Sequence, residues 1–337
     1  MARICSVIAM SHSPFLFTSV EQWEDARAAR AKNGSYSAEL PVDTHEENVA
    51  KHARCEAAIA TLGERLRAAR PDVLIVFGDD QLEQFGFGNM PAFGIYLGER
   101  FAGYKISRYA GLPNGSPRVP RDRSAEYWTE VAGHPALARD LLVRLMSLGF
   151  DLSFSLELND QEEGMGHAFM RPSYYLDPGY TVPIVPFFVN CYYGPQPLAR
   201  RCVALGQAIR QAIEASPLDL NVAVIGSGGL WHTPNAPRSS LDEAFDRAIL
   251  QNVSAGDAAA MAAYFDGSEP VYDAADPQSV RYASGGTGIV SGRGGGTGET
   301  RNWVVAAAVA GRPGTVVDYV PIYASPVGAA FAYWEMP

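Results

Sequence analysis

RPDVLIVFGDDQ, Arg70 to Gln81, is the stretch whose reading decides the fold. Val73–Phe77 is an unbroken apolar run, closed off by Pro71 and Asp72 before it and Gly78 after it. A run this short and continuous predicts a strand buried on both faces, not one that alternates between core and water. Such strands belong to parallel sheets covered by helices. The preceding segment agrees, because DTHEENVAKHARCEAAIATLGERLRAAR (43–70) predicts a helix. Asp43 or Thr44 serves as its N-cap, acidic residues fill its first turn and arginines its last. After the strand, GDDQLEQF (78–85) turns abruptly polar. An ordinary turn could account for that, and so could a site, since ligands in open α/β sheets bind beyond the carboxyl ends of the strands.

Working outward, RICSVIAM (3–10) predicts a first strand that ends at SHSP (11–14). Residues 19–45 read as an irregular polar insertion with a short helix at VEQWEDARAARAK (20–32). Further helices are predicted at 134–150, stopping near Gly149, at 196–217, 241–253, 257–267 and 301–311. Strands are predicted at DLSFSLEL (151–158), TVPIVPFFVNCYY (181–193), NVAVIGSGGL (221–230) and GTVVDYVPIYA (314–324). Strands and helices alternate, which predicts an α/β fold with a mostly parallel central sheet flanked by helices and a site at the strand carboxyl ends. No linker divides the chain, so residues 1–337 are expected to form one domain.

The bulk composition bounds the function. The chain has 337 residues, 47% of them hydrophobic and 19% charged, as in an ordinary globular protein. A net charge of -10 argues against nucleic acid as the main partner, because phosphate binding needs a basic surface. There is no apolar run of membrane-spanning length, and the start lacks the order of a signal peptide. Cys5, Cys55, Cys191 and Cys202 show no CxxC spacing and are expected to be reduced, which points to the cytoplasm.

Four strand ends carry polar or special residues: SHSP (11–14), GDDQ (78–81), CYYGP (191–195) and GSGGLWH (226–232). His12 and His232 lie directly after strands, and His167 lies in EEGMGHAFMRP, expected to be a loop. Singly, each histidine reads as a turn or structural residue. Glu299, in GTGETRNW, opens a helix, where a carboxylate can simply complement the helix dipole. Together, histidines and a carboxylate at strand ends suit a mononuclear metal site with open positions, the donor set of non-haem iron(II) oxygen chemistry. His45, His52 and His134 lie near predicted helix starts and read as surface residues. The glycine-rich segment 284–298 lacks GK[ST], and no strand leads from it through GxGxxG into a helix, so a loop or lid is expected there and not a nucleotide site. No G-x-S-x-G elbow supports serine hydrolase chemistry.

Those same residues carry a resemblance. RICSVIAMSHSP, ARPDVLIVFGDDQLEQFGFGNMPAFGI, the 181–232 stretch ending in GGLWH, GETRNWVVAAAVAG and YASPVGAAFA resemble the class III extradiol ring-cleaving dioxygenases of the protocatechuate 4,5-dioxygenase β-subunit type. The resemblance implies cleavage of a catechol-like ring with dioxygen. It implies His12 and Glu299 as iron ligands, His232 as the acid–base histidine and His167 as a second histidine, here in Gly166-His167-Ala168 where the family has Asp-His-Gly. Arg171, Tyr174, Tyr192 and Tyr193 are expected around a carboxylated aromatic substrate, although tyrosines after a strand can equally just cover the sheet. A homodimer is the default, and relatives work with a small α-subunit that caps the site. This chain's 19–45 insertion and 284–298 loop could serve as its own lid.

One position departs. The family places a second histidine ligand in Asn-Asp-His at the end of the second strand, where this chain reads GDDQ. Counting from the strand puts Asp80 there, and counting back from Phe85 and Pro91 puts Gln81 there. Asp80 would make a harder, more anionic site for iron(II) or manganese(II), and Gln81 a weaker neutral one. The remaining alternatives are that His45 or His52 folds in, or that the metal is lost and the scaffold does other work.

Overall fold

The computed structural model describes residues 1–32, 34, 37–106, 123–194, 196–232, 240–268 and 295–337. In chain order the strands are β1 (Arg3–Met10), β2 (Val73–Gly78), β3 (Phe93–Tyr96), β4 (Arg100–Tyr104), β5 (Trp128–Ala132), β6 (Ser153–Ser155), β7 (Ile184–Val189), β8 (Asn221–Ser227), β9 (Thr315–Ile322) and β10 (Val327–Glu335). The helices are α1 (Val20–Lys32), α2 (His45–Ala69), α3 (Pro135–Ser147), α4 (His167–Leu176), α5 (Ala199–Glu214), α6 (Glu243–Ala255), α7 (Ala258–Ser268) and α8 (Thr300–Ala310).

Eight strands form one sheet in the order β6-β3-β7-β2-β8-β1-β10-β9, and β4 pairs with β5 in a small second sheet. The centre, β7-β2-β8-β1, is parallel. β3 runs antiparallel to β7, and β10 runs antiparallel to both β1 and β9, so the expected parallel sheet carries antiparallel margins.

All six residues of β2 are buried, as its unbroken apolar run requires. Val73, Ile75 and Phe77 pack on one face with α3, α5, α6, α7 and α8. Leu74 and Val76 pack on the other with α1, α2 and α4. Period-two alternation thus serves two cores from one strand. Thr44 caps α2 through a capping box with Glu47. The 20–32 segment of the polar insertion is helical, as read.

The site is positioned chiefly by α8. Every residue of this helix is buried, and it enters beside the strand ends. A side chain on Gly226 of β8 would lie 2.6 Å from the Asn302 carbonyl, so glycine there lets helix and strand meet closely. Three expectations change. His167 is not in a loop but is the first residue of α4. β6 keeps only three residues of the predicted 151–158 strand. Of the 284–298 loop, residues 284–294 lie outside the described residues, and Gly295–Glu299 form a 3-10 turn into α8.

Candidate active site

His12 leaves β1 fully inside the protein. Its Nδ1 lies 2.8 Å from Ser227 Oγ at the end of β8. That hydroxyl has one hydrogen, which it donates to the Ala168 carbonyl at 2.5 Å. Ser227 therefore accepts from His12 Nδ1–H, and His12 Nε2 keeps its lone pair. Nε2 faces Glu299 Oε2 at 3.6 Å. Burial pushes the His12 pKa down to about 3, against the pull of Glu299, so the ring is neutral.

Glu299 is also fully buried. It stands at the N-cap position of α8 but makes no side-chain cap bond there. Its carboxylate turns into the site instead, and Oε2 accepts the Gly229 N–H at 2.8 Å. Gly228, at φ +105°, makes this approach feasible, since a Cβ there would lie 2.3 Å from Oε2. Burial opposes the Glu299 charge, but His232, His12 and the Gly229 N–H outweigh it and hold the carboxyl at about 2.

The third wall comes from the end of β2, where Asp79, not Asp80, is the carboxylate grouped with His12 and Glu299. One ligand atom from each of His12, Asp79 and Glu299 lies within 4.8 Å of the others, and all three residues are buried. The physical reason is strand alternation. Residues 73, 75 and 77 face the α8 side, and Asp79 continues that row beyond Gly78. Asp80 turns away, where its carboxylate accepts the backbone N–H groups of Glu83, Gln84 and Phe85 and folds the loop. Gln81 sits at the rim, its amide nitrogen 3.4 Å from both Asp79 Oδ2 and Glu299 Oε1. His45 pairs with Glu24, His52 with Glu56, and His134 caps α3, so none of them enters the site.

His232 completes the polar ring. Its Nδ1–H donates to the Leu230 carbonyl at 3.0 Å, and its backbone N–H donates to Thr297 Oγ1 at 3.2 Å. Its Nε2 lies 3.4 Å from Glu299 Oε1. Burial disfavours charge on this ring, but Glu299 and the Leu230 carbonyl raise its pKa above the usual value. His167 packs edge-on against His12, with ring centroids 4.8 Å apart. Glu83 Oε1 accepts both its Nδ1–H and its backbone N–H, at 2.8 and 3.0 Å.

His12, Gln81, Glu83, His167, His232 and Glu299 line a cleft of about 550 Å³. Arg171 and Tyr192 line it too, and Arg171 donates to the Ile106 and His12 carbonyls. Tyr174 and Tyr193 do not line it: Tyr174 packs with Phe17 and Tyr180, and Tyr193 with Phe87 and Tyr192. Arg30 of α1 reaches the cleft and donates to Ser325 Oγ. Asp79, Glu83 and Ser227 were missed by sequence reasoning. Asp79 alone left a signal, the alternation carried two residues past Phe77.

The donor set fits a divalent cation. Asp79 Oδ1 is buried with no hydrogen-bond partner among the described residues. Burial and the nearby Glu299 and Glu83 drive the Asp79 pKa well above the ordinary carboxyl value. An imidazole lone pair and two carboxylates facing one another in a dry site are mutually repulsive until a cation lies between them.

Gallate dioxygenase of Pseudomonas putida is 40% identical over 111 residues, 32% of this chain and 31% of that protein. A 2,3-dihydroxyphenylpropionate/2,3-dihydroxicinnamic acid 1,2-dioxygenase of Mycobacterium ulcerans is 32% identical over 184 residues, 54% of this chain and 50% of that protein. The chain thus spans between 31% and 50% of the length of these curated relatives. A solved structure of an uncharacterized protein from Escherichia coli K12 is similar at a TM-score of 0.48 and 13% identity, covering 98% of this chain and 100% of that one. The family described as the catalytic LigB subunit of aromatic ring-opening dioxygenase matches from Ser6 to Phe331, nearly end to end, and the chain belongs to that family.

Proposed function

We propose that this chain is a metal-dependent dioxygenase that opens the ring of a small catechol-like aromatic with dioxygen, with iron(II) held by His12, Asp79 and Glu299. The observation that carries this reading is the buried grouping of those three donors within 4.8 Å of one another, two of which, His12 and Glu299, line the cleft. A cleft of about 550 Å³ suits a single substituted ring. The names of the matched relatives support a substrate with neighbouring ring hydroxyls.

A divalent metal there supplies Lewis acidity toward a phenolic hydroxyl and open positions for the reactants. The chain's own groups do the rest. His232 has committed Nδ1–H to Leu230, so Nε2 is the atom that accepts the substrate hydroxyl proton. Arg171 has five N–H donors and spends one each on Ile106 and His12, which leaves others for an anionic ring substituent. His167, held by Glu83, packs against His12 and restrains its tilt.

The test uses the full chain purified anaerobically and supplied with iron(II) or manganese(II). One metal per chain is expected, lost in Asp79→Ala and in Glu299→Ala. Oxygen uptake and a yellow product are expected with a member of a panel of catechols, aminophenols and gallates. Failure to hold metal under either loading sinks the reading. Metal bound without oxygen uptake moves the protein to non-oxidative chemistry on a small aromatic.

A further inference from the structure

One fully buried carboxyl group outside the cleft is not used by the proposed chemistry. Asp246, on α6, has 0% exposure and does not line the cleft. Its Oδ1 accepts the Trp231 N–H at 2.8 Å, and its Oδ2 accepts the Tyr319 hydroxyl, also at 2.8 Å. Gly328 of β10 presses against it, since a Cβ there would lie 1.8 Å from Oδ2. Helix α6, strands β9 and β10 and the residue before His232 therefore converge on one carboxyl.

The Trp231 N–H and the Leu230 carbonyl belong to the same planar peptide unit. The N–H side donates to Asp246, and the carbonyl side accepts the Nδ1–H of His232 at 3.0 Å. We infer that Asp246 is the positioning residue of His232, acting through the Leu230–Trp231 peptide. Carboxyl, peptide and imidazole form a single hydrogen-bond chain. A planar unit cannot tilt at one edge only, so turning the carbonyl away from His232 also breaks the bond to Asp246. The chain leaves His232 Nε2 directed at Glu299, 3.4 Å away. Leu230 N–H to the Gly328 carbonyl, at 3.0 Å, and Gly328 N–H to the Trp231 carbonyl, at 2.8 Å, hold the two flanks of the same peptide. Linked bonds of this kind reinforce one another.

This inference rests on the proton-accepting role of His232 proposed above. If Asp246 were only an anchor between α6 and β9, its loss would lower stability and leave turnover per folded molecule unchanged.

Three variants separate the cases. Asp246→Asn keeps an acceptor for Trp231, Asp246→Leu removes it, and Tyr319→Phe removes only the partner of Oδ2. Turnover is measured on the panel substrate with the highest rate. Exchange of the His232 Nδ1–H proton is followed by NMR on the full chain supplied with zinc(II). Asp246→Leu is expected to lower kcat about a hundredfold, with KM within about threefold, as for loss of a placed general base. Its Nδ1–H should exchange roughly tenfold faster or more, because the bond that protects it opens locally. Asp246→Asn and Tyr319→Phe should keep kcat within about threefold, since the Trp231 bond survives. Should Asp246→Leu not fold, Asp246→Ala carries the same expectation. Unchanged kcat and exchange in the folded Leu or Ala variant, or an Asn variant as impaired as Leu, would overturn the inference. If the unsubstituted chain turns over no substrate, the dioxygenase reading fails, while the exchange measurement still decides the hydrogen-bond chain.

Discussion

Asp79 and Asp80 are neighbours with the same side chain and opposite assignments. Asp79 leaves a buried oxygen beside His12 and Glu299 with no partner among the described residues, and Asp80 spends its oxygens on three backbone N–H groups. Asp80→Ala is therefore expected to retain metal, measured by elemental analysis, while losing about 1–3 kcal/mol in urea unfolding, the usual cost of orphaned buried donors. Asp79→Ala should show the reverse pattern in metal content. Asp246 gives a pH signature. Burial pushes its carboxyl up to about 8, although Trp231 and Tyr319 pull it down. The titratable groups facing it are Tyr319, His232 and Asp242. A carboxyl whose folded pKa exceeds its unfolded value of about 3.9 stabilises the fold fully below that value. The contribution is lost as pH rises through about 8. Melting midpoints of the unsubstituted chain should fall over that range, and those of Asp246→Asn should fall less.

At the scale of elements, α8 is the piece on which the site depends. It is buried all round and apolar from Trp303 to Ala310, and it meets β8 at Gly226, where a Cβ would lie 2.6 Å from the Asn302 carbonyl. Gly226→Val is expected to push α8 outward, lowering stability by about 1–3 kcal/mol through overpacking. It should also weaken metal binding, because Glu299 moves with the helix, and a metal titration beside a melting curve reads both. The long elements were legible in the sequence: an amphipathic period marks α5, Ala199–Glu214, and an unbroken apolar run between turn residues marks β2, Val73–Gly78. The predictions omitted β3, β4, β5 and β10; strands of four or five residues hold too few side chains for a period to emerge, and the nine-residue β10 is buried along all but its last residue and so does not alternate. Helix α4 was read as a loop because it begins at Gly166-His167 with no side-chain cap and carries Pro172 inside it.

At the scale of the molecule, the donors come from three distant parts of the chain, so metal binding ties the fold together. A ligand that binds only the folded state at about a hundred times its Kd adds about 2.7 kcal/mol. Adding metal should raise the melting midpoint and a chelator should lower it, and the shift should vanish in Asp79→Ala. No helix among the described residues is long and apolar enough to cross a membrane. The four cysteines are free, in keeping with the absence of paired spacing.

The sequence by itself determined the α/β class, the buried central strands, the strand ends as the place of the site, and His12, His232 and Glu299 as residues that meet there. The class and the strands are local facts, set by periods of two and 3.6 residues and by turn residues at their ends, whereas the three site residues were carried by the family resemblance. Tertiary structure alone decided which aspartate faces the donors, that Glu83 holds His167, and that Asp246 reaches His232 through a peptide. Side-chain direction beyond a strand end depends on where the backbone turns, and partners such as Asp246 and Trp231 come together only when separate elements pack, which no local pattern encodes.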